Sequence, residues 1–281
     1  LALIAFAANS VLCRLALGSG AIDAASFTSI RLFTGALTLL IILMIRREKN
    51  YLPKQDSWNA SLILFIYAIC FSFAYVSLDT GTGALILFGA VQITMILVSL
   101  LSGNRLHLSG WMGRTLAFAG FVYLVLPGVS TPPLVGFLLM TSAGIAWGIY
   151  TLKGRDSENP LLDTAHNFFR TLPLILILML VALSRSQISM EGIVLAMLSG
   201  GLASGVGYTI WYVALRGLTS TQAAVVQLSV PVIAALGGII FVSERISLRL
   251  SISSIMILGG VLIVVLGRYY FVSALSTNSS D

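Results

Sequence analysis

Three aromatic side chains recur every fourth residue in one apolar stretch, Tyr67, Phe71 and Tyr75, a spacing that places them on one face of a helix. A second stretch carries Tyr208 and Tyr212 at the same spacing with Trp211 beside them, and a third carries Trp147 and Tyr150. Such rings line cores, interfacial belts or aromatic-walled cavities. Tyrosine favours the cavity, because a hydroxyl away from water needs a partner that hydrocarbon cannot supply. Three uncharged amides, Asn9, Gln92 and Gln227, fall mid-stretch in other apolar segments. They can bond helix to helix, for ~0.6 kcal/mol on average, or hold the ammonium and carboxylate of a zwitterion. Arg31 and Arg170 also lie inside apolar stretches. A charge at mid-membrane costs at least ~2.5–3.5 kcal/mol on insertion scales. Each should therefore snorkel, bond carbonyls or meet a substrate carboxylate.

The motifs of hydrolases, nucleotide-binding enzymes and metalloproteases are missing: there is no HExxH, GxSxG, Walker loop or dinucleotide-binding glycine pattern. The reading is of no catalytic residue, no metal ligand and no cofactor. Asp23, Glu48, Asp56, Asp79, Asp156, Glu158, Asp163, Glu191, Glu244 and Asp281 all fall in loops, tails or helix ends. A mid-membrane acid relay, common in proton-coupled carriers, is not evident. His107 and His166 read as structural residues at helix ends. Asp156, Glu158, Asp163 and His166 form the one cluster that a membrane enzyme acting on lipids would need, and a solvated loop explains them more simply. Cys13 and Cys70 read as small buried hydrophobes.

These residues need elements to position them, and composition names the surrounding medium. Of 281 residues, 58% are hydrophobic and 9% charged, with a mean hydropathy of +1.00. An ordinary soluble domain carries about a quarter charged residues. So few charges cannot cover a surface in water, so the solvent is lipid. The net charge of +6 belongs to loops on one membrane face rather than to a nucleic-acid partner. The chain begins at Leu1, which suggests a trimmed N-terminus. The first apolar run reads as a span and not a signal peptide, because it has a counterpart in the second half.

Ten runs satisfy the ~20-residue requirement for a spanning helix: about 1–17, 25–45, 58–78, 83–101, 109–127, 134–152, 165–183, 192–215, 220–241 and 249–267. A proline-rich linker, 129–133, separates repeat 1–128 from repeat 134–270, and 271–281 forms a flexible tail. The halves correspond. Tyr75 pairs with Tyr212, Arg31 with Arg170, Gln92 with Pro231 and Gly120 with Gly260, at offsets of 137, 139, 139 and 140. Five spans per half is odd, so the halves enter the membrane from opposite sides, as in many secondary transporters. The expected fold is thus an all-α membrane protein of ten transmembrane helices, two inverted five-helix repeats around a central cavity. Basic residues cluster after span 2 (Arg46, Arg47, Lys49, Lys54) and recur at Arg105, Lys153, Arg155 and Arg216, which places both termini in the cytoplasm. Gly144–Gly148 and Gly201–Gly205 suit close helix contact. Pro231 should kink span 9.

Gly144-Ile145-Ala146-Trp147-Gly148, together with Pro231 followed by Glu244-Arg245-Ile246, resembles the EamA-type group of the drug/metabolite transporter superfamily over essentially the whole chain. The best match is the amino acid exporter branch, which includes aromatic amino acid exporters of the bacterial inner membrane. The resemblance implies a monomer in the inner membrane, surrounded by lipid, that exports small molecules by alternating access. It implies a cavity walled by spans 1, 3, 4, 6, 8 and 9, with Trp147 opposite Asn9 and with Pro231 in span 9. This sequence departs from the family in having Gln92 where a proline is usual and Asn104-Arg105 where Glu-Arg is usual. The expected substrate contacts are Asn9, Phe71, Tyr75, Gln92, Trp147, Tyr208, Tyr212 and Gln227, with Pro231 at a gate. The expected cargo is aromatic and other neutral amino acids and related metabolites. A channel or facilitator is the alternative.

Overall fold

The structure, a computed structural model, describes residues 1–46, 58–101, 108–125, 131–155, 157, 159–215 and 226–278. These residues form ten helices and no strand. They are α1 (Ala2–Gly18), α2 (Ala24–Arg46), α3 (Trp58–Tyr75), α4 (Thr80–Leu101), α5 (Leu108–Val125), α6 (Leu134–Arg155), α7 (Pro160–Ala182), α8, α9 (Ser229–Val242) and α10 (Leu248–Asn278). α8 runs through three consecutive pieces. Met190–Leu198 is α-helical, Ser199–Val206 is wound as a π-helix, and Gly207–Leu215 is α-helical again. Asn104, Arg105, His107, Asp156, Glu158 and Arg216 lie outside the described residues.

Helix is the default for these segments because a backbone in hydrocarbon must satisfy its N–H and C=O groups within the segment. Six of the helices, in α2, α3, α4, α6, α7 and α8, are long and apolar enough to cross a membrane. Shorter apolar helices lie in α1, α5, α9 and α10. α2 shows the medium directly. Leu32, Ala36, Leu39 and Leu43 are buried, yet Phe33, Leu37, Ile41 and Met44 on its other side are 54%, 47%, 48% and 60% exposed. A helix in water would carry charge on that second stripe. This is a multi-pass membrane protein.

Helix ends are set by ordinary caps. The Asp23 carboxylate accepts from Ala25 N and Ser26 N at 3.0 and 2.9 Å and starts α2. Asn159 accepts from Leu162 N ahead of Pro160 at the start of α7. Ser189 accepts from Gly192 N at the start of α8. Each satisfies an otherwise orphaned N–H. Val226 and Gln227 are helical, Leu228 is a turn and α9 begins at Ser229, so the helix is interrupted just before Pro231, which lies in the first turn of α9. That position tolerates proline, since its missing N–H would have no partner within α9. α10 continues to Asn278, so the stretch expected as a flexible tail is helical up to that residue. Phe271, Val272, Ala274 and Leu275 include no glycine or proline to stop the ladder.

The contacts also give the helix directions. From Gly113 to Gly120 the neighbours run backwards, from Gly260 and Val264 to Met256 and Ile257, so α5 and α10 are antiparallel. From Gly144 to Gly148 they advance from Leu87 and Ala90 to Val91 and Thr94, so α6 is parallel to α4. From Gly200 to Gly205 they advance from Arg31 to Thr38, so α8 is parallel to α2. α1 runs with α9, Val11 meeting Gly237 and Arg14 meeting Glu244.

The α2–α8 crossing is the tightest of these. A Cβ on Gly200 would collide with Thr34 Oγ1 and the Arg31 carbonyl oxygen, and one on Gly35 with the Phe168 ring. Backbone atoms cannot yield as a flexible side-chain tip can. Gly200→Ala is expected to destabilise the protein by ~1–3 kcal/mol through overpacking, read as a lower melting midpoint in detergent. Gly259→Ala, where an added methyl meets open space, should melt like the wild type.

Candidate functional site

Aromatic rings from five helices meet at the centre of the bundle, α7 contributing Phe168 at 6.0 Å from Tyr208. Trp147 of α6 is the hub, with centroid distances of 4.8 Å to Tyr67 of α3, 5.0 Å to Tyr208 of α8, 5.7 Å to Tyr150 of its own helix and 6.2 Å to Phe6 of α1. Phe6 stands edge-on to Tyr208 and Trp211 as well, at 5.8 and 5.7 Å. Phe71 continues the α3 face, 5.5 Å from Tyr67 and 4.9 Å from Tyr75. Trp147 is 6% exposed, and Tyr67, Phe71 and Tyr208 are 4% or less. The fourfold spacing in sequence becomes one continuous ring surface because α3 turns that face toward α6.

Polar groups are threaded through this apolar centre. Ser199 Oγ donates to Asn9 Oδ1 at 2.6 Å. Asn167 Nδ2 donates to the Tyr150 hydroxyl at 3.3 Å and Ser61 Oγ donates to Asn167 Oδ1 at 3.3 Å, joining α3, α6 and α7. Gln92 is buried on α4. Gln227 is buried with its amide oxygen lacking a hydrogen-bond partner.

Arg31 is 1% exposed, so its guanidinium does not reach the molecular surface. Its Nη2 donates to the Tyr67 hydroxyl at 3.1 Å and its Nε to Ser204 Oγ at 3.4 Å. Its guanidinium lies 4.8 Å from the Phe71 ring centroid and 5.4 Å from that of Tyr67.

Of the expected contact residues, the structure brings Phe71, Trp147 and Tyr208 together in the ring cluster. Asn9 joins through Ser199 on the neighbouring α8. Tyr75 sits at the edge, its hydroxyl donating to the Thr80 carbonyl at 3.3 Å. Tyr212 is half-buried and packs near Gly154 of α6. Gln92 is buried on α4, Pro231 is buried in the first turn of α9, and Gln227 is buried just before that helix. Phe6 belongs to the cluster and was not expected. Its signal is helical spacing again, since Phe6 falls three residues, close to one turn, before Asn9 on α1.

Arg14 was also overlooked, although it is a third arginine within an apolar run and aligns with Lys153 in the second half. It closes the end of the bundle where α3 passes into α4. Its Nε donates to Glu244 Oε1 at 3.3 Å, its Nη2 to Asp79 Oδ1 at 3.4 Å and its Nη1 to the Tyr75 carbonyl at 3.2 Å. Glu244 also accepts from Thr80 N at 2.9 Å and Thr80 Oγ1 at 3.1 Å, capping α4 from the loop between α9 and α10. Beside this cluster lies a cavity of about 210 Å³, bordered by Asp79, Thr82, Thr131, Glu244, Arg245 and Ser247.

The chain is similar to several known proteins. Residues 134–266 match the EamA-like transporter family. It is 49% identical to Uncharacterized protein PA1977 of Pseudomonas aeruginosa, over 95% of this chain and 93% of that one. It is 20% identical to Uncharacterized transporter YoaV of Bacillus subtilis, covering 84% and 85%. It is 25% identical to an Uncharacterized transporter of Archaeoglobus fulgidus, covering 82% and 83%. One crystal structure shares the fold at a TM-score of 0.64, with 18% identity, 94% of this chain and 98% of that one being covered.

Proposed function

Because residues 134–266 match the EamA-like transporter family, we propose that this chain exports aromatic and other neutral amino acids, with related small metabolites, across a bacterial inner membrane by alternating access. The observation that carries this reading is the ring cluster centred on Trp147, with Arg31 and Asn9 beside it. Rings accept an apolar side chain, and the polar groups accept the backbone of an amino acid.

The architecture we propose is ten spans in two inverted repeats, 1–128 and 134–270, with both termini cytoplasmic. The opposed directions of α5 and α10, which correspond between the halves, support it. So does the exchange of partners, since α3 and α4 pack on α6 as α8 and α9 pack on α1. The moving units we propose are a bundle of α3, α4, α6 and α7 and a bundle of α1, α2, α8 and α9, which meet where α2 packs on α7 and α9 on α4. Rocking of the two bundles about the central rings exposes the site to either side. The break before α9, with Pro231 in the following turn, supplies a flexible joint. The unit that works is a monomer in lipid.

The test is uptake of labelled amino acids into liposomes holding the purified protein, with and without an imposed pH gradient. Saturable uptake of phenylalanine, tryptophan and leucine is expected. Flux that rises without saturation would point to a channel, and the absence of flux for every neutral amino acid would defeat the export reading.

A further inference from the structure

Arg31 is a buried cation whose partners among the described residues are neutral. A guanidinium stays protonated in any protein environment, so its charge must be stabilised where it lies. The ion pairs described in this protein are those of Arg14 with Asp79 and Glu244, at the end of the bundle. Arg31 has instead two hydroxyls, from Tyr67 and Ser204, and two aromatic faces. Its Nη1 has no hydrogen-bond partner among the described residues. Leaving a buried charged donor unsatisfied is costly, and a purely structural arginine would be expected to have every donor engaged.

A second observation concerns the helix opposite. The π-wound stretch Ser199–Val206 crosses α2 at Arg31, with Gly200 against the Arg31 carbonyl. It presents Ser199 to Asn9 and Ser204 to Arg31. π-Segments are rare and occur frequently at functional sites. Both serines are neutral hydroxyls that can turn to a new donor or acceptor.

We infer that Arg31 is the anchor for a carboxylate on the transported solute, with Tyr67 and Ser204 as hydroxyls that yield to it or join it. Planar guanidinium and planar carboxylate match in a bidentate pair, and the free Nη1 supplies one of its two donors. The neighbouring faces of Phe71 and Tyr67 then hold the apolar part of the same solute. The site selects small carboxylates with an apolar or aromatic body. This rests on the export reading for its physiological meaning, but the binding it describes is separately measurable.

The experiment titrates the tryptophan fluorescence of the detergent-purified full chain with phenylalanine, 3-phenylpropionate (carboxylate, no amine) and phenethylamine (amine, no carboxylate). Wild type is expected to respond to both carboxylates, and to phenethylamine at least about tenfold more weakly, the ratio that one charge-assisted hydrogen bond supplies. Arg31→Gln should abolish the difference between carboxylate and amine, and Arg31→Lys should keep part of it. If Arg31→Gln fails to fold, the comparison of solutes on wild type and Arg31→Lys still decides. Equal response of wild type to amine and carboxylate, or a carboxylate preference that survives in Arg31→Gln, overturns the inference. Carboxylate-dependent quenching without any amino acid flux in liposomes would defeat the export reading and leave the anion site standing.

Discussion

Proteoliposomes carrying Trp147→Ala are expected to take up phenylalanine at least about tenfold more slowly than wild type. Trp147 touches Phe6, Tyr67, Tyr150 and Tyr208, and each aromatic pair contributes ~0.5–1.5 kcal/mol beyond burial. Removing the hub therefore dissolves the surface on which an apolar side chain would rest. The truncation also leaves a cavity, at ~3–5 kcal/mol for a tryptophan, so folding must be checked by size-exclusion profile and melting midpoint. Trp147→Phe keeps a ring in place and should fold well with intermediate uptake. A folded Trp147→Ala protein with an unchanged rate and KM would remove the ring cluster from the transport path.

Glu244→Ala is the second large effect. That carboxylate holds Arg14 of α1 and both the N–H and the hydroxyl of Thr80 at the start of α4. Its side chain is 13% exposed and that of Arg14 is 19%. Stripping a carboxylate from a pair so little hydrated costs up to ~3 kcal/mol, beyond ~1 kcal/mol for the lost cap. Asp79 cannot replace it, since its side chain is 59% exposed. The end of the bundle should loosen, and Cys13, one residue before Arg14 and wholly buried, reports on it. In a Cys70→Ala background, Glu244→Ala should let a membrane-impermeant maleimide label Cys13 about tenfold faster, the change that 1.4 kcal/mol of opening produces. Unchanged labelling would show that the Arg14–Glu244 contact does not hold that end shut. The neutral isostere Glu244→Gln keeps acceptors for Thr80 and should fall between the two.

The correspondence of the halves has a limit at this place. Glu244 aligns with Asn104, so the first half lacks the acid that the second half uses to hold α1 and α4. The contact of Glu244 with Arg14 and Thr80 therefore has no carboxylate counterpart at the matching position of the first half. A carrier built this way need not open both sides with equal ease.

Composition and periodicity alone determined that the chain lives in lipid, that it is helical, and that rings on α3 and α8 share faces. These are properties of single segments, set by 3.6-residue periodicity and by the need to satisfy backbone groups within each helix. Which faces meet is a different kind of fact. Fourfold spacing placed Tyr67, Phe71 and Tyr75 on one stripe, but only packing decided that the first two join Trp147 and Arg31 while the third bonds Thr80. Sequence distance hid the partnership of Arg14 with Glu244, which are 230 positions apart. It also left Arg31 open between snorkelling and a ligand contact, because burial of a side chain depends on neighbours that arrive from other helices. The tertiary arrangement removed snorkelling by burying Arg31 against Tyr67, Ser204 and Phe71.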